Sequence, residues 1–393
     1  MTIKLSCAVV SLSLITAPLY SESAASKRPY YEARLHLSDY HGPGRDEPTP
    51  DSVTEVRLGY FGPSDPTDQM WSAAQLAIDE ANRQGGYRGL PFHLVPIWSQ
   101  NQWGSGIAEL ARSIYTDNLW AIIGSVDGPS THLAEQLVVK ARLTLINPIS
   151  SDKTVNLANV PWMFSCLPGE HLQVPVLAAG IAEAGCRDRV TLVSGTDHDS
   201  RVFARELMNH LPATGLRLGH HFDLDSRQDH YSVLVDQILA ADSQVVIVLA
   251  GPWESALVVK QLRSNGYKGR VFGGPQMGRA DFLREAGEAA LGVTFPKLVS
   301  IPDQDLVGRK FEQESAALSD YRGFQTYDAI TLLTDAIKKA GLNRARIRDA
   351  VRDLSPWQGI SGTIVWDALG QNKRQVQLAT ISNRHFENLR HPE

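Results

Sequence analysis

Ala121 to Asp152 reads AIIGSVDGPSTHLAEQLVVKARLTLINPISSD. The apolar run Ala121-Ile122-Ile123 gives way to Gly124-Ser125-Val126-Asp127-Gly128-Pro129, where glycine and proline interrupt a strand. Ser130 and Thr131 then stand where a helix N-cap belongs, with Glu135 placed to reach back toward the uncapped amides. Leu133, Ala134, Leu137 and Val138 recur at helical spacing, and Leu143 to Ile146 is a second buried-strand run ended by Asn147-Pro148. The stretch is therefore a strand, a helix and a strand.

A connection of this length favours a parallel, right-handed crossover, which puts both post-strand loops at the same carboxyl edge of the sheet. Ligands of open α/β sheets bind at that edge. The hydroxyls of Ser130, Thr131, Ser150 and Ser151, with free amides at a helix N-terminus, converge there on a place suited to a carboxylate or amide oxygen. The plainer reading of the same side chains is that they cap and turn the chain.

Outward from this unit the alternation repeats. Glu55 to Phe61 and Phe92 to Trp98 read as strands, followed by helices over 70–82 and 107–115. A second series starts at Trp162 to Cys166 and runs helix 171–184, strand 190–193, helix 202–210, strand 217–222, helix 231–240, strand 245–249, helix 254–265, strand 270–272, helix 280–286 and strand 292–295. Such a pattern implies an α/β fold with two mostly parallel sheets covered by helices on both faces. After Pro302 helices follow one another around 306–318, 326–340 and 345–354, before short strands in GTIVWDALG and RQVQLATIS. Helices without intervening strands cannot extend a parallel sheet, so the tail is expected to cover a lobe already built.

The 393 residues, 43% of them hydrophobic, suffice for two domains, and a net charge of −5 without a long run of one sign gives no nucleic-acid or anionic-membrane footprint. Residues 1–26 fit a secretory signal peptide: Lys4, an apolar stretch too short to span a bilayer, then small polar residues, with cleavage between about Ser21 and Ser26. Residues 27–52, containing HGPGRDEPTP, read as a linker or a loosely docked arm. Two cysteines remain, Cys166 and Cys186, separated by a helix about 20 Å long, whereas bridged Cα atoms lie within about 7 Å; no disulfide is expected.

Taken together, AAQLAIDEAN, IIGSVDGPSTHLAEQLVVKARLTLINPISSD, MFSCLPGEHLQVPVLAAGI, GYKGRVFGGPQMG, FQTYDAITLLTDAI and GISGTIVWDALGQ resemble the type 1 periplasmic binding proteins, in the branch of leucine/isoleucine/valine- and amide-binding proteins. The resemblance covers roughly Val56 to Ile381. It implies two Rossmann-like, doubly wound lobes joined by three hinge strands, mapped here as 53–164 plus 300–362 and 165–299 plus 363–393. It further implies a periplasmic monomer without cofactor or metal that closes on a small carboxylate-, amide- or amino-acid-like ligand and presents it to the permease of an ABC transporter.

In the amino-acid-binding members two lobe-one loops hold the ligand carboxylate and an acidic residue of lobe two holds the ammonium. Here those loops become Gly128 to Thr131 and Ile149 to Ser151. This chain departs from the pattern where Gly128 takes a hydroxyl position and Gln276 takes the acidic one. A neutral amide cannot pair an ammonium as a carboxylate does, which argues against an ordinary α-amino acid. Asp199, at the place of an aromatic contact, is the candidate for the missing charge. Trp98, Trp103 and Trp253 follow strands or lie in their loops and are candidates to wall the cleft, while Trp71 reads as core.

An enzyme is disfavoured, because there is no GxSxG elbow, HExxH, Walker A loop or GxGxxG at a strand end. His198 between two aspartates and His220-His221 hint at a metal, yet neighbours on a strand point to opposite faces and cannot share one ion. The remaining alternative is a sensor whose closed lobes are read by a membrane receptor instead of a transporter.

Overall fold

The computed structural model describes residues 38–98, 105–185, 189–225, 231–299 and 320–382, and the backbone of 385–388. The expected signal peptide, Trp103, Cys186 and the expected helix at 306–318 lie outside these residues.

Five parallel strands form the first sheet: β1 (Val56–Phe61), β2 (Phe92–Pro96), β3 (Ala121–Gly124), β4 (Thr144–Asn147) and β5 (Met163–Ser165), in the order β2-β1-β3-β4-β5. Its two faces are separated by the two-residue period of a strand. Tyr60, Ile123 and Ile146 pack toward α1 (Gln69–Arg83) and the late helices α10 (Tyr321–Ala340) and α11 (Arg344–Asp353). Phe61, Ile122 and Leu145 pack on the opposite side toward α2 (Ile107–Thr116) and α3 (Gly128–Ala141). The helices after Pro302 that the structure describes thus cover the sheet built first, as the missing strands between them required.

The second sheet has the order β14-β13-β10-β9-β8-β6-β7. Its parallel part is β6 (Val190–Gly195), β7 (Leu218–Leu224), β8 (Val245–Leu249), β9 (Arg270–Gly273) and β10 (Thr294–Lys297). After a separate antiparallel pair, β11 (Trp357–Gly359) and β12 (Gly362–Ile364), the tail strands β13 (Gln377–Ser382) and β14 (His385–Asn388) add an antiparallel edge. Every residue of β8, Val-Val-Ile-Val-Leu, is buried, since helices lie on both faces. Leu192, Val245 and Ile247 face α5 (Glu170–Glu183) and α6 (His198–Thr214). Val193, Val246 and Val248 face α7 (Ser232–Ala240), α8 (Pro252–Ser264) and α9 (Ala280–Ala286).

Two of the segments that cross between the lobes run side by side. Ser165 N donates to Gly370 O, Asn372 N donates to Ser165 O, and the Asn372 amide donates to Cys166 O at 2.7 Å. Cys166 is buried and unbridged among the described residues, and burial raises its thiol far above the usual range.

Residues 38–49 lie against α11. Asn343 Nδ2 donates to the carbonyls of Gly44, Arg45 and Glu47, and Thr49 Oγ1 donates to Leu342 O. Arg348, only 1% exposed, donates to Ser38 O and Pro161 O. No helix among the described residues is long and apolar enough to cross a membrane.

Candidate functional site

The first turn of α3 differs from the expectation. Asp127, in extended backbone, is the N-cap and accepts from Ser130 N at 2.8 Å, while Ser130 Oγ accepts in return from Asp127 N at 3.3 Å. Pro129 fits inside this turn because a first-turn residue has no intrahelical use for an N–H. The frame is thus set by Asp127 and not by Ser130 and Thr131. Both hydroxyls are buried within the cap: Ser130 Oγ bonds to Asp127 Oδ1, and Thr131 Oγ1 donates to Asp127 O at 2.6 Å. Glu135 does not reach back to the amides; two turns in, it lies beside His132, 3.4 Å from Nδ1.

What remains available at the helix tip is the amide of Gly128. It donates to the carboxylate of Asp199, 3.1 Å to Oδ1 and 3.2 Å to Oδ2. Asp199 lies in the first turn of α6, in the other lobe, capped by Asp197 through Ser200 N at 2.9 Å. A Cβ on residue 128 would sit 2.5 Å from Asp199 Oδ1 and 2.6 Å from Asp152 Oδ2, so only glycine permits this approach. Burial pushes the Asp199 carboxyl up to about 6, with the Gly128 N–H pulling the other way.

The second loop contributes Ile149, Ser150 and Ser151. The amides of Ile149 and Ser150 both donate to Asn147 Oδ1, and Ser150 Oγ accepts from Asp152 N at 3.3 Å. Ile149 packs into the first core. Ser151 is half-buried and its carbonyl accepts from Glu170 N, while its hydroxyl has no hydrogen-bond partner among the described residues. Asp152 caps the short helix α4 (Lys153–Leu157), a turn too short to show periodicity, through Thr154 N at 2.8 Å.

Asp152 was not a candidate from the sequence, yet it is the centre of the contact between the lobes. Its Oδ2 lies 2.7 Å from His198 Nε2 of α6 and 3.4 Å from His132 Nε2 of α3. Burial opposes the charge on Asp152, but hydrogen bonds with His132, Thr154 and His198 outweigh it and hold the carboxyl below the usual range. His132 is raised to about 9, first by Asp152 and then by Glu135. Lys153 adds an ion pair to Glu206 at 2.5 Å.

A further contact joins α1 and α10 to the second lobe. Asp320 caps α10 and accepts from Gln69 Nε2 at 2.8 Å and from Ala280 N at 3.0 Å, and Arg279 Nε donates to Tyr321 Oη at 3.1 Å. No local pattern announces these residues, because each is an ordinary capping or surface type until the lobes meet.

Gln276, Trp253, Trp98 and Trp71 have these surroundings. Gln276 sits half-buried in a single 3₁₀ turn, Pro275–Gly278, with its side-chain oxygen turned toward Gly274. Trp253 is 53% exposed in the first turn of α8. Trp98 packs edge-on against Phe61, centroids 5.1 Å apart, and Trp71 does the same against Tyr60, so both serve packing in the first lobe.

A family model described as periplasmic binding protein matches residues 59–385. The leucine-specific-binding protein of Salmonella typhimurium is 23% identical over 314 residues, which are 78% of this chain and 84% of that protein. A leucine binding protein from Thermotoga maritima superposes with a TM-score of 0.74 at 19% identity, over 85% of this chain and 98% of that one. A branched-chain amino acid transporter substrate binding protein from Streptococcus pneumoniae, solved with isoleucine, gives 0.76 at 17% identity, again over 85% and 98%. With two parallel α/β lobes that meet at the carboxyl ends of their strands, and a match over most of its length, the chain belongs to the periplasmic binding protein family.

Proposed function

We propose that this protein is an exported solute-binding protein of the periplasm that captures a small carboxylate- or amide-bearing ligand between its lobes and delivers it to the permease of an ABC-type importer. The lobes would comprise 53–164 plus 300–362 and 165–299 plus 363–393, with 1–26 removed as a signal peptide and the mature chain monomeric.

One observation carries the reading: the Gly128 amide of one lobe and the Asp199 carboxylate of the other meet directly. A helix-tip amide that takes a carboxylate from its own chain is suited to take one from a ligand. Asp199, released from Gly128, would then face the ligand's N–H or cationic end, in place of the charge that Gln276 does not supply. The half-buried Ser151 hydroxyl offers a second donor at the same edge. Hinge closure then sequesters the solute, and the closed form is what a permease would read. The names of the leucine- and isoleucine-binding relatives support amino-acid-like solutes as the class to test first.

The experiment is a thermal melt of the purified protein against branched-chain amino acids, amides, and aliphatic and aromatic carboxylates. A ligand at a hundredfold excess over Kd stabilises the native state by about 2.7 kcal/mol. A rise with members of this panel supports the reading; no rise with any of them contradicts it.

A further inference from the structure

We propose that His132, Asp152 and His198 form a site for a divalent transition-metal ion, zinc by its donor chemistry, that ties the two lobes together. The three residues come from separate segments, the second turn of α3, the cap of α4, and the start of α6. Their ligand atoms lie within 4.8 Å of one another. Two imidazoles and a carboxylate with a further position left for water or solute is a common donor set for zinc. Bond lengths of about 2.0–2.2 Å put neighbouring ligands of a tetrahedral ion roughly 3.3–3.5 Å apart. Of the two separations from Asp152 Oδ2, the 3.4 Å to His132 lies within that range and the 2.7 Å to His198 falls short of it, a difference that a small rotation of the half-exposed His198 side chain would make up.

The surroundings point the same way. Asp152 Oδ1 is held by Thr154 N at 2.8 Å and Thr154 Oγ1 at 2.6 Å, which leaves Oδ2 as the oxygen offered to both imidazoles. Thr154 Oγ1 also lies 2.9 Å from His132 Nε2, so it would turn toward Asp152 alone when the ring takes an ion. The other ring nitrogen of His132 faces Glu135 at 3.4 Å, the outer carboxylate that commonly orients a ligating imidazole. Glu135 is only 4% exposed and its Oε1 has no hydrogen-bond partner among the described residues. Asp127 and Asp199 add negative charge nearby, while the adjacent Lys153 is committed to Glu206. A buried excess of carboxylates around two imidazoles is a setting that favours a cation. Because His198 belongs to the second lobe, the donor set is complete only when the lobes are together, and the ion would favour that state.

The test uses the purified chain, stripped with EDTA and titrated calorimetrically with zinc chloride in the absence of any organic ligand, so that its outcome is independent of the solute reading. Saturable binding of one ion per chain is expected. His198→Ala and Asp152→Asn should each weaken it by at least about 100-fold, and Glu135→Gln, which would touch no metal, by about 10- to 100-fold. His221→Ala should leave it unchanged. Circular dichroism verifies folding; should Asp152→Asn not fold, His198→Ala, with its side chain 40% exposed, carries the comparison. X-ray scattering should show a smaller radius of gyration with zinc in the wild type and not in His198→Ala. Absence of saturable binding, or zinc affinity undiminished in His198→Ala, would overturn the proposal and leave the three residues as an ion cluster.

Discussion

The backbone amide of Gly128 is bonded to the carboxylate of Asp199, 3.1 Å to Oδ1, so that the tips of two helices from different lobes touch. A methyl group on residue 128 collides with both Asp199 and Asp152. Gly128→Ala should therefore hold the lobes apart, lowering stability by about 1–3 kcal/mol as overpacking does. Its loss should not add to that of Asp199→Ala in the double variant, since both remove the same contact. Additive losses in urea melts would show that the two residues do not meet in solution.

Ser130 and Ser151 separate stability from binding. Ser130 completes the α3 cap, so Ser130→Ala should cost about 1 kcal/mol of stability and leave solute affinity unchanged. Ser151 carries an uncommitted hydroxyl, so Ser151→Ala should leave the melting temperature unchanged and weaken a carboxylate ligand by about 1.5–3 kcal/mol. Melts and calorimetry on the two variants read both quantities, and the reverse pattern would remove Ser151 from the site.

Arg348 ties the arm to the first lobe. Its guanidinium donates to Ser38 O at 2.6 Å and Pro161 O at 2.8 Å and pairs with Asp349 at 2.7 Å, all in a buried setting. Arg348→Ala should cost about 3 kcal/mol and make residues 38–49 open to proteolysis before the core melts. Protection of the arm in that variant would mean that the remaining ties, through Asn343, Leu342, Asp349 and Arg352, hold it without Arg348.

Asp328 gives a pH dependence. Its carboxylate accepts from Ile360 N at 2.9 Å and Ser361 N at 2.8 Å, yet burial dominates and pushes its pKa up to about 6, above the ordinary 3.8. A folded-state value above the unfolded one contributes stability that is present below the unfolded pKa and lost as pH rises through about 6. The advantage of wild type over Asp328→Ala should thus shrink between pH 4 and pH 7.5, by an amount on the order of 2 kcal/mol. Urea melts across that range decide it; an advantage that grows with pH would mean that the hydrogen bonds to the charged form win.

The alternation of strands and helices was readable because the strands are buried on both faces and their apolar runs are continuous, as in Ala121–Gly124 and Val245–Leu249. The start of α3 was misread because Asp127 and Ser130 are both good caps, and local sequence does not say which of two frames the chain takes. The five-residue α4 is shorter than the window in which periodicity can be seen. Asp199 was legible as a charge near the cleft, but its seat on Gly128 was not. Neither was the meeting of His132, Asp152 and His198, because α3 and the cap of α4 converge only through the packing of the first lobe, and His198 joins them only through the approach of the second. Trp98 illustrates the converse: an aromatic after a strand can fill its own lobe as readily as wall a cleft.

The central claim, that a solute is held between Gly128 and Asp199, is tested most directly by calorimetric titration of the best ligand from the melting panel into wild type and Gly128→Ala. One-to-one binding to wild type, weakened at least about tenfold in a Gly128→Ala protein with an unchanged circular dichroism spectrum, is the result predicted here. Equal affinity in the two proteins would contradict it and place the ligand elsewhere.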